Sequence, residues 1–151
     1  MNILLVIIIG LAVLIVGYFF VLGQMSKSGN PPGLTGANLT QCPQKPNCQC
    51  SEYPEDSAHY VSPIDISGIA ANAVSAKIKT AVQSLGGQLQ KEEGDYLAFT
   101  FSSTLFGFVD DVEVRIDADN NALHLRSASR VGYSDLDANK KRIAAITAAF
   151  K

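Results

Sequence analysis

The sequence predicts an α+β domain carried behind a membrane-spanning helix. Three observations lead there. From Ile3 to Gly23, ILLVIIIGLAVLIVGYFFVLG, no side chain is charged, and about 20 such residues are what a helix needs to cross the hydrocarbon core of a bilayer. Apolar side chains recur at helical spacing in SGIAANAVSAKIKTAVQSLGG and again near the C-terminus. Between these two segments lie four short stretches in which apolar and polar residues alternate, the period of a half-buried strand. Helix, four strands, helix is satisfied most simply by a four-stranded, mainly antiparallel sheet with two helices over one face and the other face open.

The chain is read in three parts: an anchor over residues 1–23, a flexible linker over 24–41, and a soluble α+β domain over 42–151 that begins with a cysteine loop. A signal peptide is the rival reading of the first part, and a buried core helix a third. A signal peptide carries basic residues ahead of its apolar run and small residues at its cleavage site. Here only Met1 and Asn2 precede the run, and Tyr18, Phe19 and Phe20 stand where small residues would be wanted, so the uncleaved anchor is favoured. Residues 24–41 are rich in Gly, Pro, Ser, Thr and Asn without apolar period, the composition of a linker. Of all 151 residues, 47% are apolar and 17% charged, and the formal net charge is −2, which gives no ground for nucleic acid as a partner.

Cys42, Cys48 and Cys50 are the only cysteines. Two prolines and an asparagine between the first two favour a tight loop, and a disulfide would staple a segment with no regular structure of its own. Metal binding or redox catalysis, and three free thiols, are the other readings. The spacing is no clean zinc pattern, and His59 and His124 are far away in sequence. A disulfide needs an oxidising compartment. That sets the cysteines against Lys27, the one basic side chain near the anchor, which the positive-inside rule alone would place in the cytoplasm. A single-pass inner-membrane protein with its domain in the periplasm is expected, or in the thylakoid lumen for a plastid protein.

Within the domain, Ile69, Ala73, Val74, Ile78, Ala81, Val82 and Leu85 mark one helix face, with Ser67 as cap and Gly86-Gly87 as stop. A first hairpin turns near Glu93-Gly94 and a second around Asp119-Asn120-Asn121; the last helix buries Ile143, Ile146 and Phe150. In the second hairpin a register that gathers Val112, Val114, Ile116, Leu123 and Leu125 must also gather Glu113, Arg115, His124 and Arg126 on the opposite face. The open face therefore carries a charged stripe, continued by Ala128 and Arg130, with Asp110 and Asp111 placed to hold Arg130. Cross-strand salt bridging is its plain reading; a binding patch is the sharper one. Arginine forks suit carboxylate or phosphate, and Ser127, Ser129, Tyr133 and Ser134 add neutral donors. Asp135 or Ser134 is a cap for the final helix.

The stretches CPQKPNC, HYVSPI, SSTLFGFVDDVEVRID and RSASRVGYSDLDANKKRI resemble the bacterial and plastid family known as domain of unknown function 1499, from about Leu39 to the C-terminus. The resemblance implies Cys42 with Cys48 as the ordinary pair, with Cys50 standing where relatives usually carry serine. It implies a membrane-linked or exported protein, and no activity. It adds weight to the charged stripe and to RSASRVGYSD without saying what they do.

No nucleophile motif, phosphate loop, paired-histidine metal site or dinucleotide fingerprint is present, and neither metal nor cofactor is expected. The favoured reading is a non-enzymatic binding or accessory module. It engages an anionic ligand, a lipid headgroup or a protein partner through Asp110, Asp111, Glu113, Arg115, Arg126, Ser127, Ser129, Arg130, Tyr133 and Asp135, with residues 3–23 in membrane lipid. The alternatives are a hydrolase-like enzyme built on the same charged cluster, and a structural subunit of a membrane complex docking through Gly10 and Gly17.

Overall fold

The computed structural model describes residues 2–151. Helix α1 (Ile3–Ser26) is followed by a small hairpin of β1 (Leu34–Thr35) and β2 (Asn38–Leu39), then by β3 (Cys48–Cys50) and β4 (Ile64–Asp65). Helix α2 (Ala71–Ser84), strands β5 (Gln88–Glu93), β6 (Tyr96–Ser102), β7 (Val109–Asp117) and β8 (Ala122–Ser129), and helix α3 (Ala138–Phe150) complete the chain. The 24 residues of α1 rise about 36 Å at ~1.5 Å each, and the helix is long and apolar enough to cross a membrane.

Strands β5 to β8 form the expected meander, with both hairpins turning where the sequence places them. The sheet has six strands, however, where four were expected: its order is β3-β8-β7-β6-β5, with β4 also on β8 and every pairing antiparallel. β8 would otherwise end the sheet with a bare row of backbone groups. Cys48 and Cys50 lie opposite Ala128 and Arg126, and Ile64 opposite Leu123, so two short segments share that edge. Strands of two and three residues are too short to show an alternating pattern.

The hairpin register is the one the aliphatic pattern demands: Val114 faces Leu97 on one side and Leu125 on the other. This face, with Phe99, Val112, Ile116 and Leu123, packs against Val74, Ile78 and Val82 of α2 and Ile143, Ile146 and Phe150 of α3. Each fully buried side chain of this kind contributes about 1.5–3 kcal/mol. α2 is shorter at its start than the apolar pattern suggests. Ala70 caps it without a side-chain bond, while the Ser67 hydroxyl donates to Asp65 instead.

The opposite face of the sheet is not open, which corrects the expectation. The chain leaving α1 near β7 must reach β3 at the far edge, and on its way it lies across that face. Leu39, Cys42, Cys48 and Cys50 form a second apolar cluster there with Tyr96, Ala98 and Ala128. Tyr53 packs on the cluster and its hydroxyl donates to the Leu39 carbonyl at 2.8 Å. Cys42 and Cys48 are joined by a disulfide, and Cys50 is a buried free thiol. Residues 24–41 thus hold a two-strand hairpin and the fully buried Leu39.

Candidate functional site

The charged residues expected on the open face are brought together by β7 and β8, but beneath the covering segment. Glu113 has no solvent exposure. Its Oε1 accepts from the Gly33 amide and the Tyr96 hydroxyl, both at 2.8 Å, and its Oε2 accepts from Arg126 Nη1 at 2.7 Å. Burial pushes the Glu113 carboxyl above its usual range, against the opposing pull of Arg126. Arg126 is 5% exposed, and its Nε has no partner among the described residues. Arg130 holds Asp111 through two bonds of 2.8 and 2.7 Å. Arg115 holds Glu52 through two of 2.6 and 3.1 Å and also reaches Asp117. Every guanidinium on this face therefore has its own carboxylate, in geometry that favours the bidentate form for two of them.

Asp110, expected beside Asp111, points to the other side of the sheet, because neighbours along a strand face opposite ways. Its Oδ2 accepts from Arg142 of α3 at 2.8 Å. There Ser127, Ser129 and Asp135 converge on one residue, Asn139. The Ser127 hydroxyl donates to Asn139 Oδ1, while Asn139 Nδ2 donates to Ser129 Oγ at 3.0 Å and to Asp135 Oδ2 at 2.7 Å. The Asn139 amide also donates to Asp135 Oδ2, so Asp135 does serve the start of α3. Gly132, at φ +91°, makes the turn that only glycine enters readily, and its carbonyl accepts from Asn47 at 3.1 Å. Tyr133 is different: it is 69% exposed.

The exit end of α1 is stitched onto this end of the sheet. The Ser26 hydroxyl accepts from the Val109 amide at 2.9 Å, and Arg130 Nη1 donates to the Ser26 carbonyl at 3.2 Å. A Cβ on Gly23 would fall onto the Phe106 carbonyl oxygen, so only glycine permits the approach. Phe19 and Phe20 stack against Phe106 with ring centres 5.4 and 5.2 Å apart, and Phe108 completes the cluster.

Between α1 and the turn after β8 this leaves a cleft of about 430 Å³. Tyr18, Phe19, Leu22, Phe108 and Val131 give it an apolar lining; Ser103, Asp110, Ser129, Ser134 and Asp135 give it polar groups, and Tyr133 also lines it. Of the ten expected site residues, Asp110, Ser129, Tyr133 and Asp135 line this cleft, whereas Asp111, Glu113, Arg115, Arg126, Ser127 and Arg130 do not. Sequence reasoning missed Glu52, Asn139 and Arg142 as partners. It also missed the aromatic residues of α1 and of the β6–β7 loop as cleft walls. The clustering of Tyr18, Phe19 and Phe20 at the end of the apolar run was the available signal.

The family model described as "Protein of unknown function (DUF1499)" matches residues 38–150. The chain belongs to the DUF1499 family. No curated protein matches it. In this DUF1499 protein the matched stretch takes in the disulfide loop, the six-stranded sheet, the carboxylate–arginine pairs and the polar side of the cleft, while α1 precedes it. Among the described residues no group of three His, Cys, Asp or Glu side chains is arranged to hold a metal ion.

Proposed function

We propose that this DUF1499 protein is a membrane-anchored binding module, with its domain in an oxidising compartment such as the periplasm, that holds an amphipathic molecule at the junction of anchor and domain. The observation that carries the reading is the cleft itself. One wall belongs to the last turns of the apolar helix and the other to the polar turn Val131–Asp135, so any occupant would meet hydrocarbon and headgroup depth at once. The Cys42–Cys48 disulfide supports the compartment. A binding role is favoured over hydrolysis because Asp111, Glu113, Arg115, Arg126 and Arg130 are each committed to a protein partner. Purification of the full chain from native membrane, with mass spectrometry of what accompanies it, tests the proposal. Tyr133→Ala should keep the wild-type melting temperature and lose the co-purifying amphiphile, and Phe19→Ala, which also gives up its ring contacts with Phe106 and Phe108, should lose it too; folded variants that retain it in full would refute the assignment of the cleft.

A further inference from the structure

Given an amphiphile at the junction of anchor and domain, the reading on which the identity of the occupant rests, the lining of the cleft narrows its chemistry. Neither lysine nor arginine nor histidine lines it. Two carboxylates do, and each is half used: Asp110 gives Oδ2 to Arg142, Asp135 gives Oδ2 to Asn139, and neither Oδ1 has a bond to another described residue. Four aromatic rings, Tyr18, Phe19, Phe108 and Tyr133, share the same lining. Carboxylate oxygens among aromatic rings form a site for a cation, above all an ammonium, which the faces of such rings attract. Three hydroxyls stand by. Ser103, Ser129 and Ser134 each already accept a bond, from the Phe108 amide, Asn139 Nδ2 and the Leu136 amide, which leaves each hydroxyl proton free to be donated.

We propose that the cleft takes the headgroup of a bilayer phospholipid bearing an ammonium, such as phosphatidylethanolamine or phosphatidylcholine. The ammonium sits at Asp110 and Asp135 among the rings, the serine hydroxyls donate to the phosphate, and an acyl chain lies along Phe19 and Leu22. The occupant is a lipid because the apolar wall is the terminal part of α1 itself, continuous with the bilayer that the helix would span. An anionic headgroup would bring its charge to Asp135, which has no cationic partner among the described residues, and to Asp110, whose charge Arg142 already offsets, with no cation lining the cleft to receive it.

The test is titration of the detergent-solubilised full chain with phosphatidylethanolamine, phosphatidylcholine and phosphatidylglycerol of matched acyl chains, read by native mass spectrometry. The two ammonium lipids should bind about tenfold more tightly than phosphatidylglycerol. Asp135→Asn, whose amide oxygen can still accept from Asn139, should abolish the preference, as should Asp110→Asn. Tyr133→Phe should keep it, and Tyr133→Ala should weaken it. Circular dichroism identifies any variant that fails to fold, and the Tyr133 pair decides the matter independently, since that side chain is exposed. Equal or tighter binding of phosphatidylglycerol would overturn the headgroup assignment and leave an amphiphile site standing. Binding of all three lipids that ignores Tyr133→Ala and Phe19→Ala would remove the site itself. Glycerophosphoethanolamine, which lacks acyl chains, should compete poorly; competition as strong as the lipid's would overturn the lipid as occupant.

Discussion

Arg126→Ala removes the counter-ion of a carboxylate that has no access to water. Glu113 would keep two neutral donors, the Gly33 amide and the Tyr96 hydroxyl, and lose the charged one at 2.7 Å. Breaking a buried pair in this way costs about 3–5 kcal/mol, because the desolvation that already raises the Glu113 carboxyl then acts unopposed. Against a typical total of about 5–15 kcal/mol this is severe, and it lowers the melting midpoint of a domain this size by roughly 10–20 °C. An exposed pair would cost no more than about 1 kcal/mol. The pH dependence has a definite sign. A carboxyl whose folded pKa lies above its unfolded value, about 4.3 for glutamate, binds its proton more tightly in the native chain. Its contribution to stability is therefore complete below that unfolded value and is lost as pH rises through the folded pKa. Removing Arg126 drives Glu113 further the same way, so the variant should lie closest to wild type near about pH 5 and fall behind toward pH 7. Thermal unfolding of the full chain in mild detergent, followed by circular dichroism at both pH values, reads this directly. A variant within about 3 °C of wild type at pH 7, or a deficit that grows in acid, would show that the covering segment does not seal the pair.

Gly23→Ala places a methyl group on the Phe106 carbonyl and should cost about 1–3 kcal/mol while exposing the β6–β7 loop to faster amide exchange; unchanged exchange would mean that α1 is not docked. The Cys50 thiol, pushed up to about 11 by burial, should resist iodoacetamide in the folded chain at about pH 8 and react once the chain is denatured. Because the unfolded thiol ionises first, stability should also decline from about pH 8.5 upward, and Cys50→Ala should flatten that decline in alkaline melts. Reducing the Cys42–Cys48 bridge, which closes a short loop, should lower stability by about 2 kcal/mol, measured as a shift in denaturant midpoint; peptide mapping without reductant should recover the bridge from native protein.

What the sequence reveals is what depends on period. The register that sets Glu113 opposite Arg126 and Arg115 opposite His124 follows from the aliphatic residues between them, and so do the helices that cover Val112 and Val114. What depends on non-periodic chain stays hidden. Leu39, from a stretch rich in Gly, Pro and Asn, and Tyr53, from the non-periodic SEYPED after the cysteine loop, seal the charged face, and no local pattern marks either residue as buried. That cover changes the meaning of Glu113, Arg115 and Arg126, from a patch facing solvent to ion pairs held out of it. The cleft was legible only in half. RSASRVGYSD marks its polar side, but the apolar side comes from Tyr18, Phe19 and Leu22, whose composition announces a membrane helix before anything else.

The stitching of α1 to the end of β8 also orders events during synthesis. Arg130 bonds to the Ser26 carbonyl across 104 positions, and the Gly33 amide reaches Glu113 across 80. Closing a loop of that length costs about 4 kcal/mol of chain entropy before any contact repays it. The helix and its covering segment emerge from the ribosome first, yet their binding surfaces are among the last parts made. Until the β6–β7 loop and then β8 are made, Phe19 and Phe20 lack Phe106 and Phe108, and Leu39 lacks Ala128, to pack against. For this molecule, the segments made first are the last to be sealed, so completing β8 and finishing the fold are one event.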